Sequence, residues 1–173
     1  MSAMLGWLDR NLEKIIILTA YVACASIVAV EVFRRYVLSV QAPWSTTVPA
    51  YMFLWLTWVG AAYGIKIRAH LGFSELRSRL SKRSQYVLMQ IDNVLFLVLA
   101  TVVIYYASGL LKLQFDNASV VPGTDTIPQW WFYSATPVGW SLLVFRVLQN
   151  MYLDARSMRR DEPFVQPGQI TAE

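Results

Sequence analysis

Long uncharged stretches separated by short polar segments dominate the pattern of residues along the chain. Residues 15–30 carry no charge, and extension on both sides gives a first segment long enough to cross a hydrocarbon core of about 30 Å. Such runs are apolar on all sides, and backbone groups at bilayer depth must be hydrogen-bonded within the chain, so they predict helices. The sequence predicts an all-α integral membrane protein in which residues 1–173 form a single domain of four transmembrane helices. The predicted spans are about 12–36, 48–67, 86–111 and 129–153, followed by a polar C-terminal tail at 154–173.

A polar segment with its own helical pattern lies between the second and third spans. Phe73, Leu76 and Leu80 fall on one face of a helix, and basic residues occupy other positions. A short amphipathic interfacial segment between helices 2 and 3 is therefore predicted. An ordinary basic loop attracted to anionic lipid explains the same residues, and this alternative stays open.

The distribution of lysine and arginine predicts the orientation of the chain, because basic residues in short loops favour the cytoplasm. Eleven of the 15 lie in the N-terminal segment, in the loop after the second span and in the tail. The opposite side holds Arg34, Arg35 and Lys112. Both termini are therefore predicted to be cytoplasmic. The aromatic residues predicted at the outer boundary are Trp44, Trp130, Trp131 and Tyr133.

Charged side chains within the predicted spans are costly in lipid, and this makes them candidates for pairing or function. Asp92 lies six residues from the start of the third span and Arg146 seven from the end of the fourth, so their depths are similar. We expect a structural ion pair between these two residues. Snorkelling toward the membrane surface and direct participation in transport are the alternatives.

Glu31 is a third such residue, near the outer end of the first span. Arg34 and Arg35 follow at i+3 and i+4, so local neutralisation on the same helix is expected. A lone carboxylate in a first span is also how small proton-coupled exporters work, and a self-sufficient exporter using Glu31 is therefore an alternative function. The two adjacent arginines weaken this alternative.

The residues exclude most enzymatic and nucleic-acid functions. Hydrophobic residues make up 56% of the chain, and the net charge of +4 follows from basic loops between apolar spans. The single histidine, His70, excludes haem held by two histidines, and the single cysteine, Cys24, excludes a cysteine-rich metal site. The sequence also offers no phosphate-binding loop and no nucleophile with a histidine base. We expect no enzyme, no cofactor, no metal and no nucleic-acid partner.

Motifs over residues 32–75 resemble a known family. They are Phe33-Arg34-Arg35-Tyr36, then Pro43-Trp44-Ser45, then Gly60, Gly64, Arg68 and His70. In their order, in chain length and in the four-span layout, the chain is similar to the small membrane subunit of TRAP transporters (tripartite ATP-independent periplasmic transporters). The motifs themselves lie within about one quarter of the chain.

The resemblance implies a secondary transporter of the bacterial or archaeal cytoplasmic membrane, which is the inner membrane in a Gram-negative cell. The chain would be the accessory scaffold of a sodium-coupled importer, bound to a large multi-span membrane subunit that holds the substrate and sodium sites. An extracytoplasmic substrate-binding protein would deliver an organic acid, either a carboxylate or a sulfonate. The candidates for contact with a partner or with membrane phospholipid are Arg34, Arg35, Trp44, Arg68 and His70.

One departure from the family pattern concerns the start of the second helix. Family members commonly follow the Trp-Ser pair with acidic residues, whereas this chain has Thr46 and Thr47. Both threonines are candidates for capping the second helix, and Pro49 suits its first turn. Whether capping or partner contacts set this motif stays open. A structural membrane-assembly protein is a further alternative function.

Overall fold

The computed structural model describes residues 2–68, 80–161 and 163–164. Within these ranges the fold is helical, and the one β-type pairing is an isolated antiparallel bridge between Val120 and Pro128. The all-α prediction is therefore confirmed for this part of the chain, while most of the predicted amphipathic segment, residues 69–79, lies outside it. The helices are α1 (Ser2–Val37), α2 (Thr47–Lys66), α3 (Lys82–Asp116), α4 (Trp130–Tyr133) and α5 (Ala135–Arg160).

The start of α2 corrects one prediction. Thr46 occupies the N-cap position with φ −92° and ψ −29°, and its side chain makes no capping hydrogen bond. Instead, the main-chain oxygen of Trp44 accepts hydrogen bonds from the amides of Thr47 and Val48 at 3.1 and 3.0 Å. The predicted side-chain cap at Thr46 is therefore wrong, because a backbone turn engages the amides at the helix start. Pro49 does lie in the first turn, where the helix needs no N–H group.

Helix α5 runs parallel to α2 and antiparallel to α3. Near its first turns, Gly139 lies so close to Trp58 of α2 that a Cβ atom at residue 139 would be 2.3 Å from that of Trp58. Further along, the side-chain amide of Asn150 donates to the main-chain oxygen of Ile65 at 3.0 Å. On the other side, the rings of Phe96 in α3 and Trp140 in α5 stack with centroids 5.7 Å apart. The buried core formed by these three helices consists of Ala62, Ile65, Ala100, Trp140, Leu143 and Val147.

Helix α1 packs along α2 in the antiparallel direction. The ammonium of Lys14 lies over the ring of Tyr63, 5.9 Å from its centroid, and the thiol of Cys24 points at the main-chain oxygen of Pro49 at 3.8 Å. The residues of α1 from Ile15 onward are largely exposed on the side away from α2. Because α1 contributes little to the core, the tightly packed unit is formed by α2, α3 and α5.

Within the part of the chain that the structure describes, three segments are long and apolar enough to cross a membrane, namely Lys14–Val37, Thr47–Lys66 and Lys82–Asp116. Helix α5 is not among them, because Arg146, Gln149 and Asn150 make it more polar. The fourth span therefore stays a prediction. Helix α5 also continues to Arg160, seven residues past the predicted end of that span at 153.

Candidate functional site

The carboxylate of Glu31 is buried where α1 meets connection 1, the segment 38–46 that leads to α2. Glu31 is only 8% exposed. One carboxylate oxygen accepts a hydrogen bond from Nη1 of Arg34 at 2.7 Å, and the other accepts from the main-chain amide of Ala42 at 3.4 Å. The expected local neutralisation is thus confirmed for Arg34. The same carboxylate also supplies an acceptor for a backbone donor outside its own helix.

Hydrogen bonds continue from Ala42 toward the start of α2. The main-chain oxygen of Ala42 accepts from both the amide and the hydroxyl of Ser45, at 3.1 and 2.7 Å. Ser45 is buried, and the neighbouring oxygen of Trp44 bonds the first amides of α2. A continuous series of contacts therefore leads from Glu31 on α1 to the first turn of α2.

Connection 2, residues 117–129 between α3 and α4, packs directly on connection 1. Gly123 has φ +82°, and a Cβ atom there would lie 2.4 Å from the main-chain oxygen of Pro43. Both the backbone conformation and the close approach therefore require glycine. Val121 is fully buried, and its amide donates to the oxygen of Ile127 at 2.9 Å. The two connections form one closely packed unit, which we call the cap.

Aromatic side chains of α2 and α4 pack against each other next to the cap. The ring centroids of Tyr51 and Phe132 are 5.3 Å apart, and those of Trp55 and Trp131 are 6.1 Å apart. The amide of Gln129 donates to the hydroxyl of Tyr51 at 2.5 Å, which ties connection 2 to α2. The aromatic residues predicted for one membrane boundary thus lie at the cap end of the bundle, and the position of the boundary itself stays a prediction.

At the end opposite the cap, an ion pair joins α5 to the residues just after α2. Nη2 of Arg68 donates to Oδ1 of Asp154 at 2.5 Å, and the two side chains are 12% and 3% exposed. Arg68 has φ 55°, in the left-handed region, directly after the helix. One turn earlier, Asn150 bonds the oxygen of Ile65. These contacts hold the last turn of α2 against α5.

Arg146 occupies the interior of the bundle. It is 5% exposed, and its Nη1 donates to Oε1 of Gln149 at 2.7 Å. Its guanidinium also lies 5.4 Å from the centroid of the Phe145 ring. Asp92 is exposed on α3. The ion pair between Asp92 and Arg146 stays a prediction.

The predicted partner- or lipid-binding residues lie in different parts of the molecule. Arg34 is engaged by Glu31 and Arg68 by Asp154, whereas Arg35 is exposed with its guanidinium 6.0 Å from the Tyr36 ring centroid. Trp44 is half-buried in connection 1. His70 lies outside the described residues. For all five residues, contact with a partner or with lipid stays a prediction. The five are Arg34, Arg35, Trp44, Arg68 and His70.

Asp154 and Asn150 are important residues that the sequence reasoning missed. The available signal was their spacing: Arg146, Asn150 and Asp154 follow each other at intervals of four and therefore share one helix face. A polar face that extends past the apolar run indicates that α5 continues and that its inner side is hydrogen-bonded.

The outward surfaces of α1 and α3 are largely apolar, although Asp92 of α3 is exposed among these residues. Such surfaces suit lipid tails or the helices of another membrane protein. Among the described residues, no group of three or more His, Cys, Asp or Glu side chains is placed to hold a metal ion. The exposed apolar residues include Leu18, Val22 and Val30 on α1 and Leu95 and Val98 on α3.

Comparison with known proteins gives a family match over most of the chain. The family described as "Tripartite ATP-independent periplasmic transporters, DctQ component" matches residues 24–157. Similar proteins include the isethionate TRAP transporter permease protein DctMQ of Oleidesulfovibrio alaskensis, which is 27% identical over 154 residues, 86% of this chain and 24% of that protein.

Two further relatives are small permease proteins. The C4-dicarboxylate TRAP transporter small permease protein DctQ of Rhodobacter capsulatus is 32% identical over 117 residues, 66% of this chain and 50% of that protein. The sialic acid TRAP transporter small permease protein SiaQ of Vibrio cholerae is 26% identical over 151 residues, 86% of this chain and 84% of that protein. The chain thus spans about a quarter of DctMQ and half of the Rhodobacter protein.

Proposed function

The chain belongs to the DctQ family of TRAP transporter components, and from this premise we propose that it is the accessory scaffold subunit of a sodium-coupled importer of an organic acid. In this role it binds a large multi-span membrane subunit, which carries the substrate and sodium sites. An extracytoplasmic binding protein delivers the acid. The chain is a transport component rather than an enzyme.

The family and the apolar helices also establish where the chain acts. It is a multi-pass protein of the cytoplasmic membrane, the inner membrane of a Gram-negative cell. For α5 we propose a fourth crossing, supported by its course beside α2 from Trp58 and Gly139 at one end to Arg68 and Asp154 at the other. Because a neighbouring helix covers its polar side, α5 can be less apolar than a helix surrounded by lipid.

The proposed orientation places both termini in the cytoplasm and the cap outside. It is supported by the excess of basic residues at the end where α1 begins and α5 ends. Exposed cationic side chains at that end include Arg83, Arg156 and Arg159. Contact of these residues with anionic lipid headgroups follows from the same arrangement.

The scaffold role is supported by one observation: buried charged side chains are hydrogen-bonded within the chain, and the outward helix faces are largely apolar. The buried charged residues Glu31, Arg146 and Asp154 are bonded within the chain, while the outer faces of α1 and α3 are largely apolar. A substrate site for an organic acid needs polar groups directed at the ligand. A scaffold instead needs apolar faces against a partner and internal bonds that keep its helices in register.

The geometry of Glu31 also counts against a proton-coupled exporter. Its carboxylate is bonded to Arg34 and to the amide of Ala42, and it lies next to connection 1 near the end of α1. A carboxylate that binds protons and ligand in turn must be accessible to both of them. The two oxygens of Glu31 are instead hydrogen-bonded to protein groups.

The names of the relatives support the proposed substrate class. They refer to isethionate, C4-dicarboxylates and sialic acid. The first is a sulfonate and the others are carboxylic acids, so all are organic anions. We propose an organic anion of this kind for the transporter that contains this chain.

Mass spectrometry of a tagged chain purified from its native membrane in mild detergent tests the scaffold role. We expect a large multi-span protein to co-purify in a fixed ratio. A tagged multi-span protein unrelated to transport, purified from the same cells, is the control for non-specific association. Recovery of the chain only as a homo-oligomer would contradict the proposal.

A further inference from the structure

We propose that Glu31 is a positioning residue for transport: it holds the cap in the shape on which uptake from the loaded extracytoplasmic binding protein depends. This inference rests on the proposed function, which places the cap on the side from which the substrate arrives. Glu31 itself touches no substrate in this proposal. It acts through the backbone of connection 1.

Glu31 uses both of its carboxylate oxygens as hydrogen-bond acceptors. Arg34, one turn further along α1, satisfies the charge through one oxygen at 2.7 Å. The second oxygen accepts from Ala42, eleven residues away along the chain. Ala42 is only 9% exposed, so its amide needs an acceptor from the protein. Neutralising the charge alone would require only Arg34.

The backbone of Ala42 in turn positions the rest of connection 1. Its oxygen accepts from the amide and hydroxyl of Ser45, and Ser45 is 6% exposed. The adjacent oxygen of Trp44 bonds the first amides of α2. Because Thr46 supplies no side-chain cap, the start of α2 depends on this turn.

Connection 1 also supports connection 2. Gly123 lies against the main-chain oxygen of Pro43, with no room for a Cβ atom. Connection 2 is closed on itself by the bond from Val121 to Ile127, and it is tied to α2 by Gln129. A shift of connection 1 must therefore displace connection 2 as well. The carboxylate of one residue thus controls the outer surface formed by both.

A positioning role and a proton-carrying role predict different results for two substitutions. In Glu31→Gln, the amide oxygen can still accept from Ala42 or from Arg34, so part of the anchor remains. In Glu31→Ala no acceptor remains. If the carboxylate carried a proton during transport, uptake would be lost equally in both variants.

The test uses the complete transporter, with both membrane subunits in proteoliposomes and the loaded binding protein outside. Initial uptake is measured against the concentration of binding protein. We expect Glu31→Ala to raise the half-saturating concentration at least about fivefold and Glu31→Gln less than about twofold, in line with the loss of a charge-assisted bond versus its partial retention. Hydrogen–deuterium exchange of the peptide covering 38–46 should increase in Glu31→Ala.

A second variant perturbs the cap without changing Glu31. In Gly123→Ala the new Cβ atom meets Pro43, so we expect the same rise in half-saturating concentration. Asp161→Asn removes a carboxylate from an ion pair with Lys82 that lies far from the cap, and it is the matched control, expected to behave as wild type.

The outcomes separate this inference from the proposed function. Equal loss of uptake in Glu31→Gln and Glu31→Ala with unchanged exchange in residues 38–46 would overturn the positioning role, and so would wild-type uptake by Glu31→Ala. If Glu31→Ala fails to assemble with the large subunit, exchange of residues 38–46 in the purified variant chain decides, and unchanged exchange there would overturn the positioning role. Absence of uptake by the wild-type complex would contradict the proposed function, while increased exchange in Glu31→Ala would still support the anchor.

Discussion

Replacing Asp154 by asparagine removes the charge of one partner from an ion pair that the molecule buries between α5 and the end of α2. Oδ1 of Asp154 lies 2.5 Å from Nη2 of Arg68, and the side chains are 3% and 12% exposed. Removing one partner of a buried pair leaves the other charge uncompensated, at a cost of about 3–5 kcal/mol. Asparagine keeps one acceptor oxygen, so we expect a loss of about 3 kcal/mol, at the lower end of this range.

The loss can be measured as the midpoint of thermal unfolding of the purified chain in detergent, followed by tryptophan fluorescence. For a chain of this length, 1 kcal/mol shifts the midpoint by about 2–4 °C, so Asp154→Asn should lower it by about 6–12 °C. The double variant Arg68→Met/Asp154→Leu should recover most of this loss, because apolar residues of similar volume commonly replace a buried ion pair without cost. Single Arg68→Met completes the double-mutant cycle.

The control for this experiment is the exposed ion pair between Lys82 and Asp161, whose side chains are 33% and 92% exposed. Solvent screens such a pair, so Asp161→Asn should leave the midpoint close to that of wild type. A decrease of less than about 2 °C for Asp154→Asn would refute the reasoning. A double variant as unstable as the sum of the two single variants would refute it as well, since the residues would then not be coupled.

Two further predictions concern packing and pH. Gly139→Ala places a Cβ atom 2.3 Å from that of Trp58, so it should lower the free energy of unfolding by about 1–3 kcal/mol, measured by thermal unfolding. Gly60→Ala is the control, because its Cβ atom would lie in open space and the change should be close to neutral. Equal effects of the two substitutions would contradict the packing of α2 on α5. Lys82 lowers the pKa of Asp161 below its ordinary value of 3.8. The small contribution of this ion pair to the free energy of unfolding is therefore present above pH 3.8 and is lost as the pH falls through the lowered pKa. Titration of the Asp161 carboxyl, followed by NMR, should therefore give a higher pKa in Lys82→Gln than in wild type, and an unchanged or lower pKa in the variant would contradict the assignment.

The apolar spans could be predicted from the sequence because each depends only on local composition. The segments Lys14–Val37, Thr47–Lys66 and Lys82–Asp116 arise from long runs with few charges, and lipid-facing helices need nothing more. The bond between Glu31 and Arg34 was predictable for the same reason, since residues at i and i+3 meet on one helix. Local rules thus account for the elements and for this one pair.

Contacts between distant residues could not be predicted in this way. Arg68 and Asp154 are 86 positions apart, and their meeting depends on α2 and α5 running parallel, which no local pattern indicates. The bond from Ala42 to Glu31 depends on the path of connection 1. The prediction of a side-chain hydrogen bond between Thr46 and the start of α2 was wrong. Residue preferences at a helix start do not reveal a backbone turn that bonds the same amides.

Uptake by proteoliposomes tests the central claim most directly. The large membrane subunit is reconstituted with and without this chain, the loaded binding protein is added outside, and accumulation of the radiolabelled organic acid is followed with an inward sodium gradient and with potassium in its place. The account predicts sodium-dependent accumulation only when both membrane subunits are present. Equal uptake by the large subunit alone, or transport by this chain alone, would contradict it.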